Sequence, residues 1–192
     1  KTKVVFLWHM HQPDYRDIVS GEYYFPWTYL HAIKDYVDMA AHLESEPRAK
    51  AVVNFAPILL EQLDDYANQI NGYLSDATPI KDKILAALVS DELPDATDPS
   101  YLELTQLLLR VNRARVIERF PVYHELASIA EDLPNNPRYA HYVNAQFLID
   151  LNVWYQLGWM GEVIRREDSR IHYLQDKGAH FSLDDRKLLL SI

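Results

Sequence analysis

The sequence contains no cysteine, which excludes disulfides, thiolate metal sites and cysteine nucleophiles and fits a reducing compartment. No stretch approaches the ~20 apolar residues that a membrane-spanning helix requires. The first apolar run is also shorter than the apolar core of a signal peptide. We therefore expect a soluble, cytoplasmic protein that has no membrane partner.

Basic residues are scarce as well. Lysine and arginine total 19 against 28 aspartates and glutamates, so the formal net charge is -9. Nucleic-acid binding needs a basic face for phosphates, and this composition gives no reason to expect nucleic acid as a partner. With 48% hydrophobic and 12% aromatic residues, the 192-residue chain can bury a sizeable core.

Two short apolar runs, 4–8 and 50–55, consist of the bulky residues typical of buried strands. Helical patterns follow them over 28–44 and 58–72, and Gly72 is placed to end the second helix. A β–α–β–α order predicts an α/β fold, in which crossover helices join parallel strands.

From about Asp76 onward the apolar spacing is almost entirely helical. Ser182 and Asp185 have the spacing of a capping box at the start of the last helix. Helices are predicted over 79–91, 100–120, 121–133, 139–159 and 182–192. The chain as a whole is therefore expected to be helix-dominated.

Two features of these patterns are unusual for a complete domain. Parallel sheets normally have several strands covered on both faces, but only two strands are predicted. The last helix also reaches Ile192 without a glycine, asparagine or proline to stop it. We therefore expect the front part of a larger protein, with the first β/α units over 1–75 and a long, mainly helical region over 76–192.

His9 and His11 lie where the first apolar run meets a loop. Side chains alternate along a strand, so both imidazoles are expected on the same face. Such a pair can bind a divalent metal, as in a metal-dependent hydrolase or deacetylase, if other strand ends supply further ligands. The second strand offers Asn54 but no histidine or carboxylate, and the other histidines do not repeat the pattern.

Carbohydrate is the favoured ligand, because aromatic and hydrogen-bonding residues are dense around the two histidines. They are Trp8, Gln12, Asp14, Tyr15, Tyr23, Tyr24, Trp27 and Tyr29. Hydrolysis of a glycosidic bond ordinarily needs two carboxylates. Glu61, Asp64 and Asp65 have the spacing of a solvated helix face, and Asp14 is a typical turn residue. A convincing catalytic pair is therefore not found.

Five segments, in order, resemble glycoside hydrolase family 57, the amylase and amylopullulanase family. They are WHMHQPDY, YFPWTYLHAIKDYVDMAAHLE, VNFAPILLEQLDDY, FLIDLNVWYQLGW and KGAHFSLDDRKLLL. The resemblance implies the N-terminal portion of an incomplete (β/α)7 barrel with a long, mostly helical insertion. It also implies action on α-glucans with retention of configuration and without a cofactor. Residues 1–192 would be a single truncated segment of the catalytic domain.

The resemblance also implies roles for individual residues. His9, His11 and Gln12 would line the sugar subsite next to the cleaved bond, rather than hold a metal. Trp27 would contact sugar rings, and Asn54 would lie near the same pocket. The glutamate nucleophile and the aspartate acid/base would lie beyond residue 192, so the isolated chain is expected to be inactive. A carbohydrate-binding fragment without turnover remains an alternative.

Overall fold

The computed structural model describes residues 2–192, which are mostly helical and contain one small sheet. They form two compact units, one running to Asp82 and including Met160–Glu167, the other comprising Lys83–Trp159 and Asp168–Ile192. The strands are β1 (Phe6–Met10) and β2 (Ala51–Phe55). The α-helices are α1 (Trp27–His31), α2 (Val37–Ser45), α3 (Pro57–Asp76), α4 (Lys83–Val89), α5 (Pro99–Leu107), α6 (Pro121–Asp132), α7 (Ala145–Trp159), α8 (Glu162–Glu167), α9 (Ser169–Lys177) and α10 (Leu183–Leu190). Within residues 2–192, no helix is long and apolar enough to cross a membrane.

The first unit contains the sheet, in which β1 and β2 pair in parallel. The predicted β–α–β–α order is confirmed, and β2 lies within the predicted range. β1 begins two residues later than predicted and includes His9, because its pairing extends to Met10 opposite Phe55.

The expectation that these strands are buried is wrong. Along β1, Phe6 is 61% and Leu7 64% exposed, and only Met10 is buried. On β2, Val52 is 54% exposed. The reason is that, within the described chain, the sheet has just two strands and no layer of helices covers its apolar side chains. Apolar composition therefore predicted the strands but not their burial.

The helical run predicted over 28–44 contains an irregularity. A π-helical segment, Ala32–Tyr36, separates α1 from α2. The N–H of Gly161 donates to the Ile33 carbonyl at 2.8 Å, and the Asp38 carboxylate accepts from the first amides of α8 at 2.8 and 3.0 Å. Asp38 thus satisfies first-turn amides of α8, which have no partner within their own helix, and Gly161 adds a donor to the Ile33 carbonyl of the π-helical segment.

α3 does not end at Gly72 as predicted. It continues to Asp76 and stops at Ala77, which adopts the left-handed conformation with φ of 56° and donates to the Tyr73 carbonyl at 2.9 Å. Gly72 is an interior position of the helix. An Ala in the left-handed region is unusual, so composition favoured the glycine as the stop.

Among its described residues, the second unit consists of helices and the loops that join them, without a strand. The helix predicted over 100–120 is divided into α5 and a π-helical segment, Arg113–Ile117, which the Asn112 side chain caps. From Asp150 to Gly158, α7 is buried on all sides, and Asn152 donates to the Ile84 carbonyl at 2.9 Å. An all-buried helix forms the centre of a bundle.

The capping box predicted at Ser182 and Asp185 is confirmed. Asp185 also accepts hydrogen bonds from Tyr173 and Lys177. The helix ends at Leu190, where the Ser191 N–H donates to the Lys187 carbonyl at 3.0 Å. The predicted range 182–192 therefore contains α10, which begins one residue after Ser182 and ends two residues before Ile192.

Gly161→Ala tests the contact that supports the π-helical segment. An added Cβ would lie 3.0 Å from Asp38 Oδ1 and 3.1 Å from the Ile33 oxygen, so the contact must open. We expect a loss of about 1–3 kcal/mol in the free energy of unfolding, measured by urea denaturation. The matched control is Gly72→Ala, whose Cβ meets Thr78 at an ordinary 3.5 Å. This control should gain up to about 1 kcal/mol from helix propensity. Equal effects of the two substitutions would contradict this reading.

Asp185 should make stability depend on pH in the acid range. Burial opposes ionisation, but hydrogen bonds from Lys177 and Ser182 outweigh it and lower the pKa of Asp185 to about 2. A lowered carboxyl pKa contributes stability above its unfolded value near 4, and this is lost as pH falls through the folded value. Asp185→Asn should therefore cost about 2 kcal/mol at neutral pH and much less at pH 2, measured by denaturant titration. A constant cost across that range would contradict the assignment.

Candidate functional site

The candidate site lies at the carboxyl end of the two parallel strands, where α/β folds commonly bind ligands. His9 is paired in register with Asn54, and its Nδ1 lies 2.7 Å from Asn54 Oδ1. His9 and His11 stack with their ring centroids 5.8 Å apart and their planes 12° apart. The prediction that both imidazoles share a face is confirmed, and all three side chains are exposed.

The Asn54 contact indicates which nitrogen of a neutral His9 ring carries the proton. An amide oxygen only accepts hydrogen bonds, so Nδ1 of the neutral ring is the donor. Nε2 is then left as an acceptor. With His9 in its neutral form, the pair therefore offers an acceptor nitrogen and a ring face to a ligand.

Gln12 is oriented by two tyrosines. Its Oε1 accepts from the Tyr15 hydroxyl at 3.0 Å, and its Nε2 donates to the Tyr36 hydroxyl at 3.4 Å. Burial raises the pKa of Tyr15, so its hydroxyl keeps its proton at neutral pH. Gln12 is thus fixed beside His11 by phenol groups that come from two different segments.

Trp27 belongs to a row of aromatic rings beside this cluster. It stacks on Phe25 with centroids 6.5 Å apart and planes 17° apart, and Phe25 meets the edge of Tyr15 at 6.1 Å. Tyr15 in turn bonds to Gln12. Trp27 is therefore connected to Gln12, the neighbour of His11, through the rings of Phe25 and Tyr15. A row of aromatic rings is the kind of surface on which sugar rings stack.

Sequence reasoning missed Tyr36, and it did not place His31 in the candidate site. His31 Nδ1 lies 2.5 Å from Asp35 Oδ2, and its ring lies 6.4 Å from that of Tyr36. The i,i+4 spacing of His31 and Asp35 was a readable signal. Tyr36 had no such signal, because the π-helical segment that includes it departs from regular helical spacing.

The carboxylates near the site form ion pairs with basic side chains. Asp14 pairs with Arg16 at 2.9 Å, and this hydrogen bond lowers the pKa of Asp14. Arg16 also contacts Glu61 at 2.8 Å. Burial opposes the ionisation of Asp35, but Lys34 and His31 outweigh it and lower the pKa of Asp35. Asp14 and Asp35 are thus held ionised, which suits anchoring better than proton donation.

Two further candidates, Asp64 and Asp65, accept hydrogen bonds from neighbours on α3, and Asp65 also accepts one from outside that helix. Asp64 accepts from Asn68 at 3.3 Å, and Asp65 accepts from Gln69 at 2.7 Å and from the Tyr23 hydroxyl at 2.8 Å. In the described part of the chain, no group of three or more histidines and carboxylates is arranged to hold a metal ion.

The sequence was compared with models of protein families. Residues 5–187 match the model of glycosyl hydrolase family 57, which covers nearly the whole chain. No curated protein and no solved structure matches the sequence. The class is therefore that of the glycoside hydrolases. The chain belongs to glycosyl hydrolase family 57, as its sequence motifs predicted.

Asn54→Leu tests the geometry of the pair. Without the amide oxygen, the neutral ring of His9 should leave the Nδ1–H form for the Nε2–H form that free imidazole side chains favour in water. Long-range ¹H–¹⁵N spectra distinguish the two tautomers. Asn68→Leu, which removes another exposed asparagine, should leave the His9 signals unchanged. A wild-type His9 already in the Nε2–H form would show that this contact is misassigned.

Proposed function

We propose that this chain provides a sugar-binding subsite of a retaining glycoside hydrolase that acts on α-glucans. The observation that carries the proposal is the cluster of His9, His11 and Asn54 at the carboxyl end of the sheet. Gln12 and the aromatic row that includes Trp27 extend it. Family membership supports a glycosidic substrate, and the motif resemblance supports an α-glucan or malto-oligosaccharide.

The chemistry of the cluster suits a polyhydroxyl ligand. Sugar hydroxyls both donate and accept, so the imidazoles of His9 and His11 and the amide groups of Gln12 and Asn54 can pair with them without neutralising a charge. Ring faces cover the apolar C–H surfaces of a sugar, and Trp27 stacked on Phe25 is part of such a platform. No cofactor has a part in this proposal.

The proposal assigns the reacting carboxylates to sequence outside residues 1–192. Retaining hydrolysis needs two carboxyl groups about 5–5.5 Å apart across the bond, one of them protonated. Asp14 and Asp35 are each bound to cations, which supports anchoring roles. We also propose that β1 and β2 begin an incomplete (β/α)7 barrel. Their parallel pairing and exposed apolar faces support this, because parallel sheets are normally covered.

Binding of malto-oligosaccharides to the 192-residue chain tests the subsite. Isothermal titration should show weak binding, and His11→Ala should weaken it about fivefold, the effect of losing a hydrogen bond worth about 1 kcal/mol. His42→Ala removes an exposed histidine from α2 and should change nothing. Equal effects of the two substitutions, or no difference between malto- and cello-oligosaccharides, would refute the proposed subsite.

Hydrolysis of soluble starch by the same chain tests the assignment of the carboxylates. We expect binding without turnover. Turnover would contradict the assignment and direct attention to Asp14 and Glu61. Stoichiometric binding of Zn²⁺ that His9→Ala abolishes would instead favour a metal-dependent hydrolase.

A further inference from the structure

The amide side chain of Gln62 is completely buried in the first unit, on the helix that follows β2. A buried primary amide is costly unless both of its donors and its acceptor oxygen are paired. Gln62 satisfies all of them. Its Nε2 donates to the Pro13 carbonyl at 2.9 Å and to the Ile58 carbonyl at 3.1 Å. Its Oε1 accepts from the Tyr15 N–H at 3.2 Å and from the Thr28 hydroxyl at 3.2 Å.

The partners of Gln62 are adjacent in sequence to residues of the candidate site. Pro13 directly follows Gln12, and Thr28 directly follows Trp27. The first belongs to the start of the loop that follows β1, and the second to α1, where that loop ends, so one buried side chain contacts both ends of the loop. Tyr15 links the two amides: its backbone N–H donates to Gln62, and its hydroxyl donates to the Gln12 side chain.

From this arrangement we propose that Gln62 is a positioning residue, which sets the placement of Gln12 relative to Trp27. It does not contact the ligand. The inference rests on the proposed sugar-binding function and adds a determinant of that site from inside the fold. Preorganised groups bind more tightly because less freedom is lost on binding, so loosening this junction should weaken the sugar site.

The role requires an amide. An ionised glutamate keeps the two acceptor contacts but cannot donate to Pro13 or Ile58, and a methionine of similar size makes none of the four bonds. A smaller change can be made in a hydrogen-bond partner of Gln62 rather than in Gln62 itself. Thr28→Val removes one donor to Gln62 while it keeps the shape of the buried side chain.

Gln156 offers a matched control. It is 1% exposed, lies on α7 in the other unit, and its Nε2 donates to Asn152 at 3.3 Å. Gln62→Met and Gln156→Met therefore make the same chemical change at equally buried positions. A general loss of fold stability would affect both variants, whereas an effect on the placement of Gln12 and Trp27 should appear only in Gln62→Met.

The experiment compares ¹⁵N-labelled wild type, Gln62→Met and Gln156→Met, first without and then with malto-oligosaccharide. In the free protein, Gln62→Met should shift the Gln12 side-chain amide and Trp27 indole signals and speed exchange of the Tyr15 amide about tenfold. Affinity for the sugar should fall roughly tenfold as well. Gln156→Met should leave all four readouts at their wild-type values.

Each outcome decides the proposal. Unchanged Gln12 and Trp27 signals in a folded Gln62→Met variant overturn it, and so does unchanged sugar affinity despite shifted signals. If Gln62→Met fails to fold, Thr28→Val is judged on the same readouts with smaller expected changes. Wild type that binds no oligosaccharide refutes the proposed function, while the spectra of the free protein still decide whether Gln62 places the two side chains.

Discussion

The parallel register of β1 and β2 is the constraint on which the candidate site depends. It places His9 opposite Asn54, and the Ala56 N–H then donates to the Met10 carbonyl at 2.9 Å as both strands end. A slip of one residue would turn every side chain of a strand to the other face, so the imidazole and the amide would separate. Gln12 follows β1 and α3 follows β2, so the same strand pairing determines where both begin.

The parts that sequence reasoning obtained correctly obey local rules. Alternation along a strand placed His9 and His11 on one face, and the spacing of Ser182 and Asp185 gave the capping box. Both depend on a few consecutive residues and on fixed backbone periodicity. Family membership was likewise readable, because it rests on ordered motifs rather than on contacts. The ligand roles of the site residues remain predictions.

The predictions that were wrong concern features that depend on the surroundings of a segment. Composition suggested that Gly72 ends α3, but Ala77 takes the left-handed conformation instead, supported by a bond to Tyr73. The strands were expected to be buried from their apolar residues, yet burial is decided by neighbouring layers. Gln62 could not have been found either, because its four partners come from three segments and no spacing rule connects them. Such side chains become visible only when the fold is known.

The π-helical segment Ala32–Tyr36 changes the direction in which the side chains of the following helix point. Each residue of a regular helix turns the chain by about 100°, and a wider turn shifts the direction in which all later side chains point. Ile33 lies within this segment and Val37 directly after it, and both are only half-buried. The wider turn also means that deleting a single residue here would rotate Asp38 away from the amides of α8 that it caps. The length of this short turn therefore sets the orientation of everything on α2.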